Sequence, residues 1–323
     1  MNYSPPFKIT TKIIDLISKI SLNIGKLESI DSSSTFPMLR KINQIRTITG
    51  TLQIEGNTLD EERITALIEG KRVLGKVDEI AEANGAITLY KQLGDLNYKD
   101  ERELLKSHKI LMDELLKKAG TYRTSNVGVG GKEGVVHVAP PSGQIPKLMG
   151  DLFHWLNITD AHPLIVSSVF HYEFEFIHPF IDGNGRMGRF WQSLILYNWN
   201  NYFSVIPIES IIRDKQQVYY EVLEECGASG ESTLFIEFAL QSILEAIDTV
   251  GNTVGIRVGN LTDNQEMIIE QIQLNNKISA SKLSNIVGIS KRKIEENLAK
   301  LKEQGVLERI GGTRGYWKIL SFT

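Results

Sequence analysis

Apolar residues in this 323-residue chain recur at intervals of three and four almost from end to end, while strand-like alternation is scarce. Such spacing lines one face of a helix, so the fold is predicted to be mostly α. Leu39, Ile42, Ile45 and Ile48 fall three apart with Leu52 following at four, and the face ends near "EGN", where Gly56 is a stop signal. Thr58 and Glu61 form a capping-box pattern for the next helix, which Gly70 ends. Helical runs continue through Tyr90 and from Leu105 to Leu116. "HPLIVSSVFHYEFEFI" then sets Pro163 in a first turn and Ile165, Val169, Tyr172 and Phe176 on one face, and a helix from about Arg186 to Trp199 follows.

Two stretches break the pattern. "TYRTSNVGVGGKEGVVHVAPPSGQIP" is glycine-rich, weakly alternating and closed by Pro140 and Pro141, which predicts a β-hairpin or flap. "AIDTVGNTVGIRVGNLTD" is rich in Gly, Asn and Thr and reads as a connection. Beyond it, three short helical patterns and two short strands, "VLERI" and "YWKIL" joined by "GGTRG", make a winged helix-turn-helix. The expected organisation is a helical region over 1–95, a core over 96–245, a linker over 246–263 and the winged domain over 264–323. The length, about twice that of a usual single domain, agrees with several domains.

Between those breaks lies "IHPFIDGNGRMGRFW", Ile177 to Trp191. Glycines flanking Asn184 let successive backbone N–H groups converge on one point, an anion-binding nest, and the positive end of the following helix aims at the same place. Arg186 and Arg189, three apart, can share one polyanion. Asp182 beside a bound phosphate suits Mg²⁺, and His178 has the pKa range of a general base acting on a hydroxyl. The parts describe phosphate-ester chemistry on a nucleotide. No lysine follows the glycines and no buried strand precedes them, so this is not a Walker loop.

His178 to Arg189, "HPFIDGNGRMGR", resembles the Fic-family signature H-P-F-x-[D/E]-G-N-G-R-x-x-R at every defined position. The resemblance implies a Fic-type helical core that transfers AMP from ATP to a Ser, Thr or Tyr hydroxyl of a target protein and releases pyrophosphate. His178 would deprotonate the hydroxyl and Asp182 would hold Mg²⁺. Gly183, Asn184, Gly185, Arg186, Met187, Gly188 and Arg189 would border the nucleotide, with the two arginines on its outer phosphates. "RTSNVGVGG" resembles the family's flap, so Val127, Gly128, Val129 and Gly130 would border the nucleotide and offer an edge to a target strand. "VYYEVLEE" resembles the stretch on the adenine side, which carries Tyr219 and Tyr220. Doc-type phosphotransferases of the superfamily lack the full G-N-G-R pattern, which argues against kinase-like transfer.

"TLQIEGN", from Thr51, resembles the inhibitory motif [S/T]-x-x-x-E-[G/N] found N-terminal to many Fic cores. Glu55 at a helix C-terminus is disfavoured by the dipole by roughly 0.3–1 kcal/mol unless a cation compensates. In the family that cation is the second motif arginine, here Arg189, so Glu55 would compete with ATP for it. In some inhibited members the same glutamate positions water for removal of AMP, and the motif leaves both directions open. The Fic signature itself leaves open other donors such as UTP, GTP or CDP-choline.

All six histidines fall between His108 and His178, none at zinc-like spacing with Cys or Glu, so no zinc is expected. His171 is expected in the core. A single cysteine, Cys226, excludes an internal disulfide framework and fits a reducing compartment. No long apolar run is present, and a cytoplasmic protein that does not span a membrane is expected. The net charge of -3 gives no global field for nucleic acid, but Asn264 to Thr323 holds ten basic residues against six acidic ones. Lys291, Arg292 and Lys293 begin the expected recognition helix and Arg314 tips the wing, positions that face DNA in this motif class. Glu295, Glu296 and Glu303 share that helix, so a protein partner stays open, as does pairing with a second copy of the chain. The competing expectation is a DNA-binding regulator in which the core senses a nucleotide.

Overall fold

The structure, a computed structural model, describes residues 3–30, 36–131, 134–258, 261–303, 306–311 and 315–319, with the backbone alone at 29–30, 36–39, 129–131, 134–138 and 252–258. Helices α1 (Thr11–Ile30), α2 (Phe36–Ile54), α3 (Glu61–Ile68), α4 (Val77–Tyr90) and α5 (Glu101–Met112) precede a hairpin of β1 (Gly128–Gly131) and β2 (Gly134–Val138). Next come α6 (Ile145–Ile158), α7 (Pro163–Ile177), α8 (Asn184–Trp199), α9 (Ile208–Asp214), α10 (Gln216–Ser229) and α11 (Thr233–Val258). The chain ends in α12 (Asp263–Leu274), α13 (Ala280–Val287), α14 (Lys291–Glu303), β3 (Leu307–Ile310) and β4 (Tyr316–Ile319). The mostly α prediction, the flap hairpin and the winged helix-turn-helix are all present.

The chain divides into two compact units, Met1–Ile24 with Ser34–Ile247 and Gly25–Ser33 with Asp248–Thr323, so the divisions fall inside α1 and α11. The Gly-, Asn- and Thr-rich stretch expected as a linker holds one of these divisions, after Ile247, and is mainly helix, with α11 continuing through Val258. Burial of Ala246, Ile247 and Val250 on one face explains this. Packing of such a face outweighs a glycine penalty of about 1 kcal/mol per residue.

In the first unit α7 is the central element. Every residue from Leu164 to Phe174 is buried, as is Ile177, so the helix runs through the interior and takes Ser167, Ser168, His171 and Glu173 with it. Helix α8 packs on it through Trp191, Phe190 and Leu194, all fully buried. The loop joining the two is the HPFIDGNG stretch, so its backbone is anchored at both ends by the densest part of the core. The pattern around α3 differs from the sequence reading. Asp60, not Thr58, is the N-cap, with its carboxylate accepting from Arg63 N–H, while Thr58 donates its hydroxyl to Glu79. Both residues have capping chemistry, and a tertiary acceptor claims the threonine.

The second unit has its own core of Ile268, Ile272, Leu283, Ile294, Leu298 and Leu301 between α12, α13 and α14, joined by Val306 and Leu307 beside the hairpin. Strands β3 and β4 pair antiparallel from Leu307↔Ile319 to Ile310↔Tyr316. Among the described residues no helix is long and apolar enough to cross a membrane.

Candidate active site

His178 caps α7 in the left-handed region at φ 50° and ψ 60°, the one non-glycine with positive φ among the described residues. Such a conformation costs about 1–3 kcal/mol and points to a functional constraint. It turns the chain sharply, and the following loop is then fixed from within. Asn184 accepts from Phe180 N–H at 2.9 Å and donates to Phe180 C=O at 3.0 Å, closing the loop on itself at a position 2% exposed. Gly183 sits at φ 83° against Met112, where a Cβ would come within 2.9 Å of the sulfur. Helix α8 starts at Asn184, slightly earlier than expected, so its free N–H groups point toward the same opening.

His108, on α5, holds this loop from outside. Gly120 N–H donates to its Nδ1 at 2.8 Å, which leaves the proton on Nε2 to donate to Asp182 C=O at 3.0 Å. Its ring stacks on Phe180 at 3.6 Å between centroids, and burial pushes its pKa down to about 4, so it stays neutral.

The two motif arginines are both gripped by carboxylates. Arg186, 4% exposed, lies 3.1 Å from Glu82 on α4 and 3.0 Å from Asp182. Glu82 also accepts from Asn57, the residue after the "EG" turn of α2. Arg189, 1% exposed, donates from Nε to Thr51 Oγ1 at 2.9 Å and from Nη2 to Glu55 Oε1 at 2.6 Å and Thr51 C=O at 3.2 Å. Its Nη1 is buried without a hydrogen-bond partner. Burial opposes the charge, but the attraction and hydrogen bond of Glu55, together with the smaller contributions of Tyr219 and Glu175, outweigh it and hold the Arg189 pKa above its ordinary value. Gly185 makes room for the contact, since a Cβ there would run into the Glu55 carboxylate. Gly56, at φ 88°, allows the turn that brings Glu55 over α8.

The end of α2 is held independently by α9 and α10. Ile54 C=O accepts from Gln216 at 2.5 Å and from the Tyr220 hydroxyl at 3.3 Å. Gly50 lies flat on α9, with Glu209 backbone carbon 2.8 Å from where its Cβ would be.

Asp182 projects outward, its side chain 58% exposed, at the mouth of the loop. One of its oxygens accepts from Arg186 and from Gly183 N–H, and Mg²⁺ binding by one or two carboxylates and substrate phosphates fits an exposed acid whose other oxygen faces outward. Among the described residues no group of three His, Cys, Asp or Glu side chains forms a metal cage. Val127 and Gly128 lead into β1, which pairs antiparallel with β2 (Gly128↔Val138, Val129↔His137) with an irregularity between Val129 and Gly130. A two-stranded sheet leaves a free edge on each strand.

The other residues expected at the site differ in exposure and surroundings. Met187 is fully buried, and Gly188 packs against α7, where a Cβ would meet Glu175 Oε1 at 2.8 Å and the His171 ring at 2.9 Å. Both therefore serve the α7–α8 joint, because successive helix positions face different sides. Tyr219 is 1% exposed, its hydroxyl 3.2 Å from His171 Nε2, whereas Tyr220 is 44% exposed, so only the second offers ring surface to a base. His171 is a core residue as expected, bonded also to Gln192 and driven down to about pKa 3 by burial. Beside it, desolvation raises the Glu175 carboxyl to about pKa 8 against the opposing pull of Arg189. Cys226 is buried and free. In the winged unit Lys291 pairs with Glu295 at 3.6 Å and Arg292 with Glu296 at 3.1 Å, while Arg314 lies outside the described residues.

The sequence profile of the Fic/DOC family matches residues 98–196. A solved Fic family protein from Desulfovibrio desulfuricans G20 is 38% identical, with 99% of each chain covered and a TM-score of 0.73. The chain belongs to the Fic family. Curated Fic relatives include a protein adenylyltransferase Fic of Nematostella vectensis, 29% identical over 72% of this chain and 55% of its own, and one of Drosophila ananassae, 28% identical over 71% and 48%. The chain thus spans about half the length of the curated relatives it matches. A "Winged helix-turn-helix DNA-binding" profile matches residues 261–308.

Proposed function

We propose that this Fic protein is a protein adenylyltransferase held in check by its own Glu55. The 2.6 Å contact between Glu55 and the buried Arg189 carries the reading. In the proposed reaction a Ser, Thr or Tyr hydroxyl oxygen of the target attacks the α-phosphorus of ATP. The new O–P bond forms as the bond to the β-phosphate bridge breaks, pyrophosphate leaves, and the hydroxyl proton passes to the His178 imidazole. The Gly183–Gly185 turn and the start of α8 would receive the phosphates through backbone N–H groups. Mg²⁺, held by Asp182 and the nucleotide phosphates, would neutralise charge on the leaving pyrophosphate. Arg189 would take the outermost phosphate once Glu55 withdraws, and Tyr220 would border the base. The same Glu55 could order a water for the reverse cleavage of AMP from the target.

Incubation of the protein with α-labelled ATP and Mg²⁺ tests the reading. Label should move to protein with Glu55→Gly and not with Glu55→Gly/His178→Ala, and label persisting in the double variant would refute the role of His178. A second reading, a DNA-binding regulator that uses the core as a nucleotide sensor, has the winged-helix profile in its favour. Lys291, Arg292 and Lys293 would meet phosphates at the start of α14, although the glutamates one turn on neutralise part of that charge. A duplex retained on a gel with no label transferred by any variant would favour it.

A further inference from the structure

Arg123 is 3% exposed, and its guanidinium is surrounded by backbone carbonyls. Nε donates to His178 C=O at 2.7 Å, Nη1 to Ser125 C=O at 2.8 Å, and Nη2 to Pro140 C=O at 2.7 Å and Ile177 C=O at 3.4 Å. Its own N–H donates to Pro179 C=O at 2.9 Å. One residue therefore holds three consecutive residues at the left-handed turn, Ile177, His178 and Pro179. With the same fork it holds both feet of the flap, Ser125 before β1 and Pro140 after β2. The feet are also tied to each other by Ser142, whose N–H donates to Asn126 and whose hydroxyl donates to Thr124 C=O.

The chemistry of the site explains why an arginine stands there. A planar fork with five N–H donors can serve four carbonyls in different directions, which an ammonium cannot. The positive charge also sits at the C-terminal end of α7, where the helix dipole favours a cation. A non-glycine residue in the left-handed region relaxes unless its surroundings over-determine it.

We propose that Arg123 is the positioning residue that fixes the imidazole-bearing turn to the flap, so that a target strand lying along the flap arrives in register with His178. This rests on the reading of His178 as the base and the flap as the target's docking edge. Displacement of a reacting group by about 1 Å costs on the order of 100-fold in rate. The Arg123 fork is spent on backbone carbonyls, so its loss should spare nucleotide binding.

The test uses the full chain with Glu55→Gly as parent, adding Arg123→Gln or Arg123→Lys. Label transfer from ATP should show kcat reduced about 100-fold by Arg123→Gln, and still well below the parent in Arg123→Lys, with ATP affinity within about threefold of the parent. Equal loss of affinity and rate, or a rate within threefold of the parent, overturns the proposal. Amide hydrogen exchange separates this from failure of the function itself, since it needs no turnover. Exchange across 126–140 and at the His178 turn should accelerate together in either variant while α2 and α8 keep their protection. Unchanged exchange at both places overturns the positioning role even if the parent proves inactive.

Discussion

Replacing Glu55 by glycine removes one bond, and its worth can be bounded from the contacts of Arg189. The guanidinium keeps Thr51 Oγ1 and Thr51 C=O and loses the Glu55 carboxylate, at 2.6 Å its one carboxylate hydrogen-bond partner among the described residues. A hydrogen bond to a charged group is worth about 1.5–3 kcal/mol net, and the outermost phosphate of ATP then has that interaction available without displacing a competitor. If the competition is the whole brake, initial rates of AMP transfer should rise about 10- to 150-fold, since each 1.4 kcal/mol is a factor of about ten. The folded state should move the other way. Loss of the partner strands a buried charge, a change that costs about 3–5 kcal/mol when fully enclosed. Glu55 is 30% exposed, so water reaches the vacated place and about 1–2 kcal/mol is the fitting magnitude. For a unit of this size that lowers Tm by roughly 2–8 °C. The assays are initial-rate label transfer at saturating ATP and Mg²⁺, and thermal unfolding without nucleotide. A rate within twofold of the unaltered protein, with Tm unchanged, would refute the idea that this ion pair restrains the site.

Two further outcomes follow from the same packing. Gly50→Ala forces a Cβ into the Glu209 backbone and should wedge α2 away from α9, costing about 1–3 kcal/mol in denaturant unfolding and raising transfer above that of the unaltered protein, though less than Glu55→Gly. Glu175 titrates near pH 8 in the folded chain against an ordinary value of 4.5, so folding takes up a proton and stability falls as pH rises between about 4.5 and 8. Glu175→Gln abolishes that slope, and its stability relative to the unaltered protein should grow with pH across the window by about 1 kcal/mol per unit, read from urea unfolding at pH 5 and pH 8. A difference that shrinks with pH would mean the carboxyl is ionised in the fold.

What the sequence makes legible is what repeats locally. The faces of α2 and α7 follow from three- and four-residue spacing, and the compact order of His178, Asp182, Gly183 to Gly185 and the two arginines carries its chemistry on its surface. Glu55 opposite Arg189 was legible only through the resemblance, because the two residues are 134 positions apart. Long separation in sequence likewise hid Glu82 on Arg186, His108 beneath Asp182, and Arg123, whose partners are carbonyls that no side-chain pattern records. At α11 the glycines and threonines suggest a linker, and the division between the two units does fall there, though within a helix rather than a loop. Composition misled at Thr58, where a good local cap lost to a distant carboxylate.

The central claim is that Arg189 is contested between Glu55 and the nucleotide. Crystal structures of the unaltered protein and of Glu55→Gly, each soaked with Mg²⁺ and a non-hydrolysable ATP analogue, test it most directly. The account predicts Arg189 on Glu55 in the first, with the outer phosphate displaced, and Arg189 bonded to that phosphate in the second. The same phosphate pose in both, with Arg189 bound to it while Glu55 is still in place, would contradict it.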